Sequence, residues 1–600
     1  MKRMTVLLLA VLMVLSAAAI FASCGRKIPV LPEDSSGAAD GTEPNTERES
    51  ETENPDESAS ESATEPATEP ATTHTHAFGD WEVTKEATCT EDGEETRTCA
   101  CGEKETRSIA AKGHTFGDWV LTKPACTEDG EETRTCACGE KETRPVAKTG
   151  HMFGDKPTFA KDSDGNVCTV CTVCGFLKPL SKDETRKAIY DSMPDFVQEV
   201  VAYDCSDAEN AENYVKVFTL MKEAGITGIV SCCQTLGTTL IPQLLDACTE
   251  ADIDVYLNMH GMSAGDMVYK LDWFVGGYDC VRGIYLKDEP VVNMFEGLAE
   301  AKRRILEEID GADNWRIAAN MLPYGDKAYE EKGWYNTLVE YAETVHPDFI
   351  CFDRYPWNSV GDESDAANTP YDYVANLLVA KKVADQFGLP LATFLQLVPV
   401  GGHKAPTDIQ LRCQINLSLA CGADTFFLFT VYEGHGFTGV IQNGGDVLLD
   451  NYYNLQTIME EVNAMKGIYD MFDLQKVMTV GCDEYSKALK RFSEAEDYLT
   501  DSYGRLSSVE TDGKAFVGCM KDDAGRNGYY LVNNQFRNEG MSTYTLTFTE
   551  ETTYQLWTMD GLVEMGTASS LTYELMCGEG LFLVLGGENV PLGTTDAAGN

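Results

Sequence analysis

The sequence predicts an α/β fold in which a (β/α)8 TIM barrel, residues 196–472, precedes a β-sandwich, residues 475–588. Three observations indicate this fold. Apolar strands alternate with amphipathic helices over about 275 residues, the usual length of such a barrel. Eight strands of this kind follow one another, which is the number that closes the barrel. Beyond residue 475 the hydrophobic period falls to two, and Gly, Asn and Asp separate short apolar runs.

Each predicted barrel strand is an apolar run rich in β-branched or aromatic residues. The eight strands are Glu199–Cys205, Gly228–Cys233, Asp254–His260, Val281–Glu289, Arg316–Met321, Asp348–Tyr355, Leu391–Leu397 and Thr425–Tyr432. Predicted helices include Asn210–Ala224, Phe295–Ile309, Tyr371–Phe387, Ile409–Ala420 and a closing helix at Leu455–Met465. The sandwich strands are Ala515–Met520, Tyr529–Asn533, Tyr544–Phe548, Tyr554–Trp557, Leu571–Leu575 and Leu581–Leu585. An open flavodoxin-like sheet would stop at about five or six strands, so the count favours closure.

The fourth predicted strand, Val281–Glu289, ends abruptly in charged residues. Alternate side chains of a strand point to opposite faces, so Ile284 and Leu286 share an apolar face while Lys287 and Glu289 share the other. Catalytic groups of a parallel barrel gather where the strands end. Glu289 is therefore the first candidate for a catalytic residue.

The same alternation, applied to every strand, predicts a polar set inside the barrel mouth. We expect the following residues to contact substrate: Asp204, Asn258, His260, Lys287, Asp288, Asn320, Tyr355, Trp357, Gln396 and Tyr432. Of these, Trp357 and Tyr432 are expected to supply flat surfaces for sugar rings. Asp353 on the sixth strand supplies a second carboxyl group. Two carboxyls flanked by amides and aromatic rings are what glycosidic cleavage requires, one protonated and the other ionised.

Asp353 is expected to act as the base of an inverting reaction. The fourth and sixth strands are separated by one neighbour, at about 4.8 Å per step, which places them about 9–10 Å apart. Inverting carboxyl pairs are about 6.5–9.5 Å apart, which leaves room for a water molecule. Glu433, just past the eighth strand, is the alternative base, although its parity points outward.

Short motifs carry a family resemblance. Asp288-Glu289-Pro290 resembles the Asn-Glu-Pro of clan A glycoside hydrolases, including β-galactosidase-like barrels, with Asp288 in place of the amide. The segments 352–357 and 412–429 are similar to segments of related bacterial barrels. The resemblance implies that Glu289 is the general acid/base and that the substrate is an oligo- or polysaccharide.

The nucleophile of that clan is a glutamate at the end of the seventh strand, where this sequence has Gln396. A neutral amide cannot attack the anomeric carbon as a carboxylate does. The alternative is therefore a non-catalytic surface protein that binds glycans on a degenerate barrel. The barrel has no paired metal-ligand spacing, so we expect no cofactor for catalysis.

The N-terminal region predicts export and anchoring. Basic residues precede an apolar run over residues 6–21, and small residues precede Cys24, which resembles the lipobox of bacterial lipoproteins. Residues 1–23 are predicted to be a lipoprotein signal peptide, with a lipid anchor at Cys24 on the extracellular face of the bacterial membrane. An ordinary signal peptide is the alternative. Residues 24–73 predict a disordered acidic Thr/Glu/Pro linker, and the formal charge of −50 argues against a nucleic-acid partner.

Residues 74–180 contain three Cys/His-rich repeats, each beginning at a histidine. The expected ligand sets are His76 with Cys89, Cys99 and Cys101; His114 with Cys126, Cys136 and Cys138; and His151 with Cys168, Cys171 and Cys174. Three cysteines and one histidine suit structural zinc, and units this small need such a staple. Disulfides are the rival in an exported chain, but three cysteines per repeat leave one unpaired. The repeats resemble modules in surface lipoproteins of Gram-positive gut bacteria, which implies a spacer or attachment role.

Overall fold

The computed structural model describes residues 75–123, 126–196, 198–203, 211–231, 240–325, 329, 332–357, 370–400, 404–433, 437–536 and 540–596. The predicted signal peptide, Cys24, the acidic linker and Asp204 lie outside these residues. Among the helices in the described ranges, none has the length and apolar character needed to cross a membrane. The chain divides into two compact units, Met1–Lys112 and Gly113–Asn600.

The described part of the first unit is the first repeat, a three-stranded antiparallel sheet. Its strands are Glu82–Lys85, Gly93–Thr98 and Lys104–Ile109. Trp81 is held by two guanidinium groups, with Arg97 4.7 Å and Arg107 4.3 Å from the ring centroid. Such cation–π contacts stabilise a unit that is too small to form a large hydrophobic core.

The second unit begins with the other two repeats. The second repeat has strands Val120–Lys123, Gly130–Thr135 and Lys141–Val146, and the third has Thr158–Lys161, Val167–Val170 and Leu177–Pro179. Near the C-terminus, Thr595–Asp596 adds a parallel strand to Thr158–Lys161. The helix Lys182–Ser192 follows, its first turn closed by a capping box between Ser181 and Glu184. The third repeat is therefore built into the larger unit.

A closed barrel of eight parallel strands confirms the predicted fold class. Its strands are Glu199–Ala202, Gly228–Ser231, Asp254–Asn258, Val281–Asp288, Arg316–Met321, Ile350–Phe352, Leu391–Gln396 and Thr425–Phe429. The helices that surround it are Tyr214–Glu223, Leu240–Ala251, Ala264–Phe274, Phe295–Glu308, Trp334–Val345, Pro370–Phe387, Asp408–Ala420 and Asp450–Asn463. Most of the strands end earlier than predicted.

Alternation along the strands separates two cores. Tyr285 packs inside the barrel with Tyr256 and Phe427. Ile284 and Leu286, of the opposite parity, pack under the helices, as the sequence predicts. The large aromatic side chains fill the barrel, so its interior is a core rather than a channel.

The floor of the barrel, at the N-terminal ends of the strands, is closed by an ion-pair network around Glu199. Glu199 accepts hydrogen bonds from the Tyr256 hydroxyl at 2.8 Å and from Arg282 Nε at 3.0 Å, and it also pairs with Arg316. The Arg316 guanidinium lies 5.0 Å from the centroid of the Phe349 ring. Charge at this end of a barrel serves stability rather than catalysis.

The C-terminal domain is a seven-stranded antiparallel sheet with a sandwich-like form. Its strands are Asp473–Val480, Leu506–Thr511, Ala515–Lys521, Asn527–Asn533, Met541–Thr558, Gly561–Met576 and Gly580–Leu585. The first two were not predicted. The segments Tyr544–Phe548 and Tyr554–Trp557, predicted as separate strands, form one long strand with an irregular register between Thr547 and Thr552.

One face of this sheet packs tightly on the barrel. Phe516, Tyr530 and Phe582 belong to the same core as the barrel helices. A Cβ atom at Gly518 would lie 2.0 Å from the carbonyl oxygen of Ala420, so only glycine permits this approach of strand to helix. The sheet therefore braces the barrel.

Candidate active site

A bulge in the fourth strand decides which acidic side chain enters the barrel. The fourth strand takes three residue steps from Tyr285 to Asp288, whereas the fifth strand takes only two steps between their partners, Ala318 and Asn320. Asp288 consequently lies on the inward face, in register with Asn320. Its Oδ1 accepts hydrogen bonds from the Tyr285 hydroxyl at 2.7 Å and from Asn320 Nδ2 at 3.1 Å. Strict alternation, which gave this place to Glu289, does not hold here.

Glu289 lies at the rim of the mouth. Its backbone has φ of 49°, in the left-handed region, and its N–H donates to the Asn320 carbonyl at 2.9 Å. Its side chain is exposed to solvent rather than packed under the helices. A non-glycine residue in this conformation costs about 1 kcal/mol or more, and such strain clusters at functional sites.

Asp353 follows the sixth strand directly and faces the acidic end of the fourth. Burial raises the pKa of the Asp353 carboxyl well above its usual range, and the negative charges of Glu289 and Asp288 raise it further. Its Oδ1 is buried and has no hydrogen-bond partner among the described residues. These conditions favour a protonated Asp353, whereas the sequence predicts an ionised base at this position.

The neighbouring guanidinium does not neutralise Asp353. Arg354 pairs instead with Asp372, a buried carboxylate on the helix Pro370–Phe387. Arg491 Nη2 lies 3.3 Å from the other oxygen of Asp372. The adjacent basic residue is therefore committed to a structural pair outside the mouth.

His260 and Lys287 meet on the other side of Asp288. Lys287 Nζ lies 3.1 Å from His260 Nε2, and His260 Nδ1 accepts the backbone N–H of Asp288 at 3.2 Å. Burial and then the Lys287 charge lower the pKa of His260. Asn258 is buried, and its Oδ1 accepts a hydrogen bond from the backbone N–H of His260 at 2.9 Å, which fixes this turn. Both the burial and the Lys287 charge favour the neutral form of the His260 imidazole.

Aromatic rings line one side of the mouth, and three of them are not predicted by the sequence. The ring centroid of Phe429 lies 5.7 Å from that of Tyr355, 5.8 Å from that of Tyr203 and 4.9 Å from that of Phe437. Tyr355 was predicted to contact substrate. Phe437 is 40% exposed, so it offers its ring to a ligand. The parity of Phe427 and Phe429 on the eighth strand was the signal that could have revealed this cluster.

Three predicted substrate contacts are placed elsewhere. Trp357 is only 4% exposed, and its Nε1 donates to Gln414 Oε1 at 3.2 Å in the helix core. Tyr432 is buried in the same core, so neither ring can stack on a sugar. Gln396 is fully buried, and its Nε2 donates to the carbonyls of Val398 at 3.2 Å and Lys404 at 2.7 Å. Gln396 therefore orders a loop.

Glu433, the alternative base, also has a structural contact. Its carboxylate accepts the backbone N–H of Asn443, a residue with φ of 50°. This contact holds the side chain toward the loop that follows the eighth strand. Asp353 remains the better partner for Glu289.

The repeats gather the predicted ligands in different sets. In the first unit, the ligand atoms of His76, Cys99 and Cys101 lie within 4.8 Å of one another, and Cys89 is not a member of this group. In the second unit, His114, Cys136 and Cys138 form one group, and Cys126, His151, Cys171 and Cys174 form another. The predicted membership of Cys126 in the second repeat's set and of Cys168 in the third repeat's set is therefore wrong.

No protein-family model and no curated protein matches this sequence. Solved structures with a similar fold include glycoside hydrolases. A β-galactosidase from Bacillus circulans sp. alkalophilus is 10% identical, over 66% of this chain and 100% of that chain, with a TM-score of 0.39. A β-galactosidase from the Antarctic haloarchaeon Halorubrum lacusprofundi is 12% identical over 45% of this chain, with a TM-score of 0.34. This chain spans 58% of that enzyme's length. The catalytic domain of a Paenibacillus polymyxa β-amylase is 12% identical, over 44% and 98%, with a TM-score of 0.31.

Proposed function

We propose that this protein hydrolyses O-glycosidic bonds of an extracellular oligo- or polysaccharide, with Glu289 and Asp353 as its catalytic pair. The observation that carries the proposal is the convergence of Asp288, Glu289 and Asp353 at the ends of the fourth and sixth strands. One carboxyl of this group has its pKa raised by burial and by the charges of the other two. A pair of carboxyls whose environments differ in this way provides an acid and a base.

The pKa direction assigns the roles within the pair. Asp353 keeps its proton and donates it to the glycosidic oxygen as the bond to the anomeric carbon breaks. Glu289 accepts a proton from the water that attacks the same carbon from the opposite face, and the products are an alcohol and a sugar of inverted configuration. The fifth strand lies between the fourth and sixth strands, which are therefore about 9–10 Å apart, close to the upper limit of the about 6.5–9.5 Å that inverting carboxyl pairs need for that water.

The other residues of the mouth position the substrate. The pairs formed by Asp288 with Tyr285 and Asn320 hold the bulge that sets Glu289 at the rim. Phe437 and Tyr355 offer faces for sugar rings. His260 and Lys287 supply hydrogen-bond donors to sugar hydroxyls. None of these contacts requires a cofactor.

The site of action that we propose is the outer face of the bacterial membrane. Support comes from the signal-like run over residues 6–21 and the small residues before Cys24. A lipid on Cys24 would tether the chain, and the acidic linker would hold the barrel away from the membrane.

A glycan-binding protein without hydrolytic activity is the second candidate. The observation that favours it is Gln396, whose amide is committed to the loop carbonyls of Val398 and Lys404. In this case the barrel retains the aromatic side of the mouth and binds polysaccharide without cleaving it.

Two isosteric variants test the proposal on a panel of polysaccharides and aryl glycosides. On the polysaccharides, Glu289→Gln and Asp353→Asn should each slow the release of reducing ends about 10²-fold or more while leaving the thermal unfolding cooperative. Glu433→Gln is the matched control and should retain turnover. Proton NMR of the first-formed product should show an inverted anomeric centre. Glycan binding by the wild type with no sugar released over a long incubation would establish the second candidate instead.

A further inference from the structure

We propose that a zinc ion bound by Cys126, His151, Cys171 and Cys174 clips the second repeat, residues 114–150, to the third repeat, residues 151–179. The ligand atoms of the four residues all lie within 4.8 Å of one another. Three of the ligands come from the third repeat and one from the second. The site thus joins consecutive repeats, whereas the repeat pattern alone predicts one closed set within each.

The distances within the group suit a tetrahedral ion. Bonds of about 2.3 Å to sulfur and about 2.0–2.1 Å to nitrogen separate the ligand atoms of a tetrahedral zinc site by about 3.5–3.8 Å. The Sγ atoms of Cys126 and Cys171 are 3.6 Å apart, and Cys174 Sγ is 3.4 Å from His151 Nδ1. Three thiolates and one imidazole fill all four positions, which is typical of a structural rather than a catalytic zinc.

Surrounding contacts already orient three of the four ligands. The Met152 N–H points at Cys171 Sγ at 3.4 Å, and the Gly150 N–H donates to the Cys126 carbonyl at 2.9 Å. The His151 ring stacks on Phe176 with a centroid distance of 4.2 Å and an interplanar angle of 11°. Hydrogen bonds to ligating sulfur and fixed imidazole rings are the outer contacts that metal sites use to orient their ligands.

Cys168, the ligand expected from the sequence, has a different role. Its side chain is fully buried within the third repeat, and its Sγ lies 3.5 Å from the Asn166 carbonyl oxygen. It therefore acts as a small buried thiol. This difference between Cys126 and Cys168 makes the two cysteines a matched pair for experiment.

The clip would fix the second repeat to the part of the chain that carries the barrel. The third repeat is held there by the strand Thr595–Asp596, by the ion pair of Lys161 with Glu588 and by the helix Lys182–Ser192. Between the last strand of the second repeat and His151 the chain has only the short segment 147–150. A metal bond from Cys126 across this segment turns a flexible joint into a rigid one.

The experiment compares Cys126→Ser with Cys168→Ser in the purified full chain, with zinc measured by elemental analysis and trypsin cleavage followed after Lys148. We expect Cys126→Ser to lose one equivalent of zinc relative to the wild type, and its third-repeat site to bind zinc more than about 100-fold more weakly. Cleavage after Lys148 should accelerate about tenfold or more, as it should in the wild type treated with a chelator. Cys168→Ser should keep the zinc content and the slow cleavage after Lys148 of the wild type. Cys126→His, which preserves four ligands, should retain the zinc.

The opposite pattern, with zinc lost from Cys168→Ser and kept by Cys126→Ser, would overturn the proposal and restore a closed set within the third repeat. A disulfide between Cys126 and Cys171 in the exported protein, found by mass spectrometry together with wild-type chain free of zinc, would overturn it as well. If Cys126→Ser does not fold, failure of Cys126→His to bind zinc would count against the site.

Discussion

Replacement of Asp353 by asparagine distinguishes a catalytic carboxyl from a structural one. Asparagine has nearly the same size and no charge, so the variant leaves no cavity. If Asp353 is the general acid, we expect kcat on natural glycans to fall about 10²–10⁴-fold. Aryl glycosides with good leaving groups need little protonation and should be affected much less. The same variant should be more stable than the wild type.

The stability gain follows from the electrostatics of the mouth. Burial, Glu289 and Asp288 raise the folded-state pKa of Asp353 well above its usual range, whereas the unfolded value is about 3.9. Because the folded protein holds this proton more tightly than the unfolded chain, the stability is highest below about pH 4. It falls as the pH rises toward the folded-state pKa. Each tenfold difference between the two ionisation constants costs about 1.4 kcal/mol, or a Tm change of about 2–4 °C. Asparagine avoids this loss, so its Tm advantage should grow from about pH 4 toward neutrality.

Calorimetry of Asp353→Asn and Asp372→Asn across this pH range provides the measurement. Asp372 undergoes the same change of atoms but is buried between Arg354 and Arg491. The free energy of unfolding of Asp372→Asn should fall by about 3–5 kcal/mol, because the guanidinium groups of Arg354 and Arg491 lose their carboxylate partner. The two Tm shifts should therefore have opposite signs. A fall in Tm for Asp353→Asn, together with unchanged kcat on natural glycans, would refute the assignment of Asp353 as the acid.

Three further substitutions test other parts of the molecule. Glu289→Gly should remove turnover and raise the free energy of unfolding by about 1 kcal/mol, because glycine adopts positive φ without strain. A lower free energy of unfolding in calorimetry would contradict backbone strain at Glu289. Glu199→Gln should lower stability by about 2–3 kcal/mol by weakening the floor network, while kcat of the folded enzyme stays the same. Phe437→Ala should raise KM several-fold with Tm unchanged, whereas Trp357→Phe should lower Tm with KM unchanged; a KM effect from Trp357→Phe would contradict its place in the helix core.

The barrel was predictable from the sequence because its signal is local. The apolar runs and their alternation identify all eight strands, and Ile284 and Leu286 face the helices as expected. The bulge at Asp288 was not predictable, since an extra residue in one strand is defined only by the register of its neighbour. Alternation therefore identified the right strand end but assigned the inward position to Glu289, whereas the structure gives it to Asp288.

The repeats show a different limit of sequence reasoning. Self-similarity identified the ligand residue types, but a repeated pattern does not say which copy of a cysteine serves which histidine. Cys126 follows the first strand of the second repeat, and after the two remaining strands the chain returns to His151, so the fold brings the cysteine to the following histidine. Only the path of the chain through the strands resolves this ambiguity.

The two ends of the barrel treat their carboxyl groups in opposite ways. At the floor, Glu199 is neutralised by two arginines, as structural stability requires. At the mouth, the guanidinium of Arg354 is used by Asp372, although Asp353 is the adjacent residue. Pairing with Arg354 would have made Asp353 a stabilising group. A general acid depends on a raised pKa of the kind that Asp353 has. The raised pKa of Asp353 therefore supports its proposed role as the general acid.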